Sequence, residues 1–420
     1  MNTLLAPRAI LGIIAAGLLA AEPARTSAEN WAGWRGPSGV GATSEKDLPL
    51  TWNGKTNENV LWKVAVNGVG NSSPIVSGDH VFITSSTKQT NKEQDDKIIP
   101  AHFVHCFKVS DGSVVWKTSV PPGKQPAGYA IYAVPTPVTD GKRIYVWFGS
   151  AVLAALDFDG KIVWRQERDG PFTLNPGICS SPVLYEDTLI LLCDQGRNQG
   201  YLQGIDKNTG LVKWEQKRPK VSYSNTTPLL LDVKGKRQLI IAASNQLQGL
   251  DPATGLPIWW CASSGFGSSP AYGSGLLYSD SGTTGPGIAV DPTGQGDVTA
   301  SHVKWKIDKV PGEYSSPVIC GDYVYRTRKP GQVLCWKLST GEEVFAERLE
   351  GVSILASPIA TADGRIYFLS TAKSFVIQAG PKLEVLATND LMGGNTGASP
   401  ALAAGRIFLR DDRFLYCIGK

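Results

Sequence analysis

A pair of small residues followed by proline recurs along this chain of 420 residues, and it constrains the fold more than any other feature. The occurrences are Ser72-Ser73-Pro74, Pro135-Thr136-Pro137, Ser180-Ser181-Pro182, Thr226-Thr227-Pro228, Ser268-Ser269-Pro270, Ser315-Ser316-Pro317, Ser357-Pro358 and Ser399-Pro400. From Pro137 to Pro400 the spacing averages about 44 residues. The chain is therefore an array of one repeated unit rather than a series of unrelated domains.

Each unit has the pattern of four short strands. An alternating strand follows the proline, and a turn such as Gly321-Asp322 fits a two-residue hairpin to the second strand. The third strand ends in a turn such as 251–255, where Gly255 takes a positive φ at little cost. Four strands repeated at this period are typical of propeller blades.

The fourth strand of most units carries one aromatic residue. The set comprises Trp62, Trp116, Trp164, Trp214, Trp259, Trp305 and Phe345, with Leu383 to Leu386 in that place in the seventh unit. A sugar or cofactor platform needs an aromatic at one site, whereas these recur once per unit. We therefore expect them to be structural rings wedged between neighbouring blades.

The two ends of the repeat array complement each other. The chain stops after three strands of its last unit, whereas residues 60–64 form a fourth strand with no first three. Pairing the two segments closes the ring and removes two exposed strand edges. The sequence therefore predicts an all-β fold, an eight-bladed propeller over residues 60–420 whose last blade is completed by an N-terminal strand.

The residues before the propeller divide into two segments. Residues 9–21 are apolar, too few to span a bilayer, and follow Arg8; small residues precede position 28. We expect residues 1–28 to be a secretory signal peptide cleaved near Ala28, which makes the mature protein periplasmic or secreted. Residues 29–59 contain three tryptophans, so we expect an extension packed on the propeller, across one channel mouth.

Composition excludes several classes of function. The net charge is +4 with no long basic run, which excludes a nucleic-acid surface. The seven cysteines form no CxxC or CxxCH motif, so neither a zinc ribbon nor a c-type haem is indicated. No later segment is long and apolar enough for a transmembrane helix. We expect a soluble monomer outside the cytoplasm.

The repeat resembles the pyrroloquinoline quinone (PQQ) repeat. The resemblance rests on Gly249-Leu250-Asp251-Pro252-Ala253-Thr254-Gly255 with Trp259, on residues 204–210 with Trp214, and on residues 155–157 with Trp164. The chain is similar to quinoprotein alcohol dehydrogenases and to the propeller subunit of the outer-membrane β-barrel assembly machine. It more closely resembles exported bacterial PQQ-like propellers, which begin with a segment like Trp34-Arg35-Gly36-Pro37. The motif is specific for fold and weak for function.

The dehydrogenase resemblance implies a quinone held with Ca²⁺ against two adjacent disulfide-bonded cysteines. The chain has no Cys-Cys dipeptide, and no carboxylate and amide set for calcium is recognisable. We therefore expect no cofactor and no metal site, with PQQ and Ca²⁺ as the alternative. A turn at 186–187 pairs position 180 with 193, which places Cys179 and Cys193 on opposite faces unless a bulge intervenes. His102 and His105 are expected at the surface or a strand edge.

One face collects the connections from fourth to first strands and from second to third strands. We predict a ligand or partner face there, formed by Asn71, Asn175, Arg197, Tyr223, Asn225, Phe266, Tyr314, Arg328 and Asn395. Nearby loops add Asp194, Asp280, Lys329 and Asp411, and the long insertion 87–101 is a candidate partner-contacting flap. A solvated loop rim is the alternative interpretation.

We predict that the protein is an exported scaffold that binds a protein partner of the cell envelope or a small polar ligand, without chemistry of its own. The alternatives are a PQQ-dependent oxidoreductase with an altered site and a carbohydrate-binding or carbohydrate-processing propeller. The sequence assigns no catalytic residue.

Overall fold

Eight four-stranded antiparallel blades make up the protein, as the sequence predicts. The computed structural model describes residues 30–420 except 125–131, 171–177, 195–198, 222, 313, 329, 350–355, 369–372 and 391–396. The predicted signal peptide lies outside the described residues. The all-β, eight-bladed expectation is confirmed.

The first four blades follow the chain from the innermost strand outward. Blade 1 contains β2 (Ile75–Ser77), β3 (His80–Ser86), β4 (His102–Lys108) and β5 (Val114–Val120), with helix α1 (Asn91–Asp95) between β3 and β4. Blade 2 contains β6 (Val138–Thr139), β7 (Arg143–Phe148), β8 (Val152–Asp157) and β9 (Ile162–Glu167). Blade 3 contains β10 (Val183–Tyr185), β11 (Thr188–Cys193), β12 (Gly200–Asp206) and β13 (Val212–Arg218). Blade 4 contains β14 (Leu229–Val233), β15 (Lys236–Ala242), β16 (Gln246–Leu250) and β17 (Pro257–Ala262).

The remaining blades repeat this order, with one added strand next to blade 5 and with an outermost strand from the N-terminal side in blade 8. Blade 5 contains β18 (Ala271–Gly273), β19 (Leu276–Asp280), β20 (Gly285–Val290) and β22 (Val303–Val310). Its short strand β21 (Gly296–Asp297) pairs in parallel with β17 of blade 4. Blade 6 contains β23 (Val318–Cys320), β24 (Tyr323–Arg328), β25 (Gln332–Lys337) and β26 (Glu343–Arg348). Blade 7 contains β27 (Ile359–Ala360), β28 (Arg365–Phe368), β29 (Lys373–Gln378) and β30 (Glu384–Asp390). Blade 8 contains β31 (Ala401–Ala403), β32 (Arg406–Arg410), β33 (Phe414–Ile418) and β1 (Val60–Ala65).

Blade 8 joins the two ends of the array. Strand β1 pairs antiparallel with β33, with Val64 opposite Leu415 and Ala65 opposite Phe414. The blade therefore takes its outermost strand from near the N-terminus and its other three from the C-terminus. Each end is held by the other, and the ring has no open seam.

A small residue on the third strand faces the aromatic of the fourth strand within a blade. The register pairs Cys106 with Trp116, Gly204 with Trp214, and Cys335 with Phe345. A Cβ built at Gly204 would lie 2.1 Å from the Trp214 ring, so a side chain at position 204 would clash with the indole where it now lies. The scattered cysteines of blades 1, 6 and 8 occupy this small slot, and all seven cysteines are free.

The aromatic of one blade bonds to the next blade. The indole N–H of Trp116 donates to the carbonyl of Phe158 at 2.8 Å, and that of Trp164 donates to Lys207 at 2.9 Å. Trp62 and Trp305 make the same bond, to Val109 and Leu338. Each accepting carbonyl lies near the turn between the third and fourth strands of its blade, so one ring fixes the angle between two blades.

Residues 30–43, here called the N-terminal strap, lie against the inner strands of several blades. Trp31 exchanges backbone hydrogen bonds with Val76 of blade 1, and the carbonyl of Ala32 accepts from Thr139 of blade 2. At the other end of the strap, Thr43 donates to the carbonyl of Ala360 in blade 7. The strap thus connects blades 1 and 2 with blade 7, which lies on the other side of blade 8.

Candidate functional site

Eight hydroxyl side chains form a closed ring of hydrogen bonds around the axis of the propeller. They are the serine or threonine directly before each repeated proline: Ser73, Thr136, Ser181, Thr227, Ser269, Ser316, Ser357 and Ser399. Each hydroxyl oxygen accepts the backbone N–H of the equivalent residue in the preceding blade, at 2.8–3.0 Å. The last bond, from Ser399 N–H to the Ser73 hydroxyl, closes the circle. We call this set the hydroxyl ring.

The hydroxyl ring lines a cavity of about 560 Å³, here called the axial cavity. Residues two positions before the ring members form a second layer of its wall. That layer contains Asn71, Val134, Cys179, Asn225, Gly267, Tyr314 and Gly397. One layer of the cavity wall therefore consists of hydroxyls that accept backbone hydrogen bonds. The next layer consists of residues that differ from blade to blade.

Trp34 of the strap also lines the axial cavity and lines a second cavity of about 840 Å³. The second cavity lies between the strap and the inner strands of blades 2–5, and its wall includes Tyr185, Asp232 and Tyr272. Trp34 therefore lies where the two cavities adjoin.

Arg35 is buried beside this tryptophan. Its side chain is fully inaccessible, its Nη2 atom donates to the carbonyl of Pro317 at 2.5 Å, and its Nε and Nη1 atoms have no partner among the described residues. Burial, with a smaller contribution from the nearby Arg326, lowers the pKa of Arg35 to about 9. Two carbonyl groups accept from the guanidinium, and its central carbon lies 5.5 Å from the centroid of the Trp34 ring. No carboxylate is paired with it among the described residues, so its charge is only partly compensated.

The structure brings three of the predicted face residues to the axial cavity. Asn71, Asn225 and Tyr314 line it, and 57% of the Tyr314 surface is exposed. Tyr223 and Phe266 lie beside it as a pair, with ring centroids 5.7 Å apart in an edge-to-face arrangement.

The other predicted face residues do not line the cavity or lie outside the described residues. Arg328 ends strand β24 and is half-buried. Asn175, Arg197 and Asn395, together with Lys329, lie outside the described residues. Tyr223 accepts a hydrogen bond from the Asn225 amide and packs on Phe266, so Tyr314 is the more open of the two tyrosines.

Three acidic residues expected near the loops are instead buried and bonded within the protein. Asp194 pairs with Arg218 at 2.9 Å, and burial raises the pKa of Asp194 while Arg218 opposes that shift. Asp280 lies 2.9 Å from Arg326. Asp411 accepts the backbone N–H of Arg413. Their oxygens are used to hold loops, because a buried carboxylate without partners is costly.

The two histidines lie inside the protein and not at its surface. His102 is fully buried and bonds to Ser150 at 2.7 Å, and His105 bonds to Ser85 at 2.8 Å. Burial lowers the pKa of His102 to about 4 and that of His105 to about 3, so both rings are neutral near pH 7. The surface expectation for these residues was wrong.

Cys179 and Cys193 are separate free thiols. Tyr185 pairs with Thr188 across the tight turn, which sets the register expected from the sequence. Cys179 lines the axial cavity, whereas Cys193 is part of the buried core between blades 2 and 3. Burial raises the pKa of each thiol to about 12.

Sequence reasoning missed the hydroxyl ring and the burial of Arg35. The sequence signal for the ring is the serine or threonine before each repeated proline, a position that also marks the spacing of the repeat. No local pattern indicates that Arg35 is buried, because its partners follow it in the chain by 282 and 323 residues.

Comparisons with known proteins agree with this architecture. A family model described as outer membrane protein assembly factor BamB matches residues 100–347, more than half of the chain. A search of the curated proteins finds no match. Among solved structures, BamB from Moraxella catarrhalis has a TM-score of 0.60 at 16% identity, covering 85% of this chain and 96% of that one.

Two other similar structures have different origins. A europium-containing methanol dehydrogenase has a TM-score of 0.59 at 11% identity, covering 93% of this chain and 98% of that one. The computationally designed Ika8 protein has a TM-score of 0.53 at 11% identity, covering 86% of this chain and 99% of that one. At these identities the likeness concerns the fold alone.

The repeats, the closed ring and the axial cavity define an eight-bladed propeller of PQQ-like repeats. Within that class, the chain belongs to the family of the outer membrane protein assembly factor BamB.

The described residues do not fit a quinone site of the dehydrogenase type. Calcium prefers carboxylate and carbonyl oxygens, and the described wall of the axial cavity contains no Asp or Glu. No cluster of three or more His, Cys, Asp or Glu residues suited to a metal occurs among the described residues. Cys179 has no adjacent cysteine to form the paired ring.

Within the described ranges, no helix is both long and apolar enough to cross a membrane.

Proposed function

We propose that the mature protein is an exported scaffold of the cell envelope that binds a protein partner through the face around the axial cavity and carries out no chemistry. The observation that supports this most is the match of residues 100–347 to the family described as an outer membrane protein assembly factor. We extend that description to this chain as a role in assembling envelope proteins.

The proposed face follows from the direction of the strands. The innermost strand of each blade starts next to the hydroxyl ring and runs away from the axial cavity, and the second strand returns. The connection from β3 to β4, residues 87–101, therefore reaches the cavity side. It contains α1, whose Thr90 and Glu93 form a capping box, and it exposes 49% of the Ile98 surface.

The same face offers the kinds of groups that interfaces use. Tyr314 is an exposed aromatic at the cavity wall, and Tyr223 and Phe266 lie beside it. Aromatic residues are enriched at the energetically important centres of interfaces. The insertion adds charged side chains of both signs and apolar side chains at the periphery of this face.

Position-dependent crosslinking in the cell envelope tests the proposal. A photo-crosslinking amino acid at Tyr314 or Ile98 should give a discrete adduct whose partner, identified by mass spectrometry, belongs to the outer-membrane assembly machinery. The matched control is Ser274, an exposed residue in the turn between β18 and β19, on the opposite face. Adducts of equal yield from Ser274, or none from either test position, would contradict the proposal.

Deleting residues 87–101 provides an independent test. The ladder between β3 and β4 includes the pair of Ser86 with His102, so a short turn in place of the insertion leaves this sheet intact. We expect the deletion variant to keep its melting temperature and to lose the crosslinked partner. A folded variant that captures its partner at the wild-type level would eliminate the insertion as a contact.

A further inference from the structure

The hydroxyl ring has donors that the protein does not use. Each hydroxyl has one proton to donate and two lone pairs to accept with. Each ring oxygen accepts one backbone N–H, and no ring hydroxyl donates its proton to an acceptor in the described part of the chain. Up to eight O–H groups therefore remain available at the axial cavity.

The surroundings of these donors favour a negative charge. The described wall of the axial cavity contains no carboxylate. Arg35 is fully buried, and the carbonyls of Pro317 and Pro358 that it contacts directly follow two ring members, Ser316 and Ser357. Its Nε and Nη1 atoms have no described partner. Interactions between charges are strong in a poorly hydrated interior, so an anion near the ring would stabilise this guanidinium.

The space suits a small organic or inorganic anion. The cavity volume is about 560 Å³, and Trp34 of the strap forms part of its wall. Asn71 and Asn225 supply amide groups to its wall, and Tyr314 supplies an exposed aromatic surface. A few placed polar groups among less polar walls are typical of small-molecule sites.

We propose that the axial cavity binds a small oxyanion, a carboxylate or a phosphate, whose oxygens accept hydrogen bonds from the hydroxyl ring. This inference goes beyond the proposed function and does not depend on a protein partner. It assigns the cavity a ligand class and gives the ring a binding role in addition to its structural one.

Isothermal titration of the mature protein with inorganic phosphate, sulfate, acetate and citrate tests the proposal, with chloride at matched ionic strength as the reference. We expect saturable binding of at least one oxyanion and none of chloride. Tighter binding of citrate or acetate identifies a carboxylate ligand, and tighter binding of phosphate identifies a phosphate ligand. Absence of saturable binding by all four probes would overturn the proposal.

A matched pair of variants locates the site. Val134 lines the cavity two positions before the ring member Thr136, so Val134→Asp adds a negative charge to the wall and Val134→Asn adds a neutral group of the same shape as Asp. We expect V134D to weaken oxyanion binding by about tenfold relative to V134N, because like charges repel strongly at short range. Equal affinities of two variants with matched melting temperatures would overturn the location.

Diffraction from wild-type crystals soaked in selenate gives a measurement that does not depend on folding of a variant. We expect an anomalous selenium peak on the propeller axis within hydrogen-bond distance of ring hydroxyls. Selenium peaks confined to the outer surface would contradict the proposal.

Discussion

Single residues at the contacts between neighbouring blades show how the repeat specifies the fold. Each outer-strand aromatic has a small residue opposite it, and this pairing recurs with different small residues in different blades. Trp259 is fully buried, and a Cβ at its partner Gly249 would lie 2.2 Å from the indole nitrogen. The indole donates to the Gln238 side chain at 2.8 Å, and that side chain donates to the carbonyl of Pro292 in blade 5. One residue therefore links two blades through packing and a short chain of hydrogen bonds.

Trp259→Ala should lower the free energy of unfolding by about 3–5 kcal/mol, because it leaves a large cavity in a closely packed seam. Trp214→Ala is the matched comparison, since Trp214 is half-buried and its indole N–H has no described partner. Urea denaturation of both variants measures the difference. A loss at Trp259 no larger than that at Trp214 would contradict this account of the seam.

Thr227→Val tests the structural contribution of the hydroxyl ring. The substitution keeps the side-chain volume but leaves the backbone N–H of Ser181, now bonded at 3.0 Å, without an acceptor. We expect a loss of about 1–3 kcal/mol, the cost of an unsatisfied buried donor. Thr87→Val is the control, because Thr87 is exposed and should change stability by less than about 0.5 kcal/mol. Equal stability of T227V and wild type would show that the ring bond contributes nothing.

At the scale of elements, the strap contains a turn whose backbone geometry requires glycine. Gly36 has a φ of +86°, and a Cβ there would lie 2.8 Å from the Trp31 ring. Trp31 is fully buried, and its backbone forms an antiparallel β-bridge with Val76 of blade 1. The path of the strap therefore requires a residue without a side chain at this turn.

Gly36→Ala should destabilise the protein by more than Gly235→Ala. Gly235 has a comparable φ of +79°, but a Cβ there meets no atom within 4 Å. The second variant therefore carries only the backbone strain, about 1–2 kcal/mol, whereas the first adds a clash with a packed indole worth about 1–3 kcal/mol. Melting temperatures measured side by side test this order. A smaller effect at Gly36 would mean that the strap shifts easily away from its position.

The sequence predicts the blades and their closure, but it does not predict the contacts that side chains make between blades. The proline spacing, the hairpin turns and the complementary ends predict the eight blades and their closure, because these signals are local and recur in each unit. The ring bond between Ser73 and Thr136 joins residues of two blades, 63 positions apart, and Arg35 contacts blades 6 and 7 across the ring. Such contacts depend on how the blades close around the axis. The face residues Asn71, Asn225 and Tyr314 were predicted, but the cavity that they share was not.

At the scale of the whole molecule, the eight blades form a closed ring, and the N-terminal strap lies against the inner strands beside the axial cavity. The hydroxyl ring, the interblade tryptophans and the mixed blade 8 all resist opening of the ring. A rigid body of this kind presents loops at fixed positions, which suits partner binding. The donor groups around the axial cavity are hydroxyls and amides, and the described wall lacks the carboxylates that a calcium-dependent quinone site needs.

Titration of the purified mature protein with PQQ, with and without Ca²⁺, tests the central claim of a propeller that binds without catalysing. Melting temperature and dye-linked alcohol oxidation are followed together, because a ligand that binds only the folded state adds about 2.7 kcal/mol of stability at a hundredfold excess over its Kd. We predict no Ca²⁺-dependent shift and no turnover. A Ca²⁺-dependent shift accompanied by alcohol oxidation would contradict the account and establish a quinoprotein enzyme.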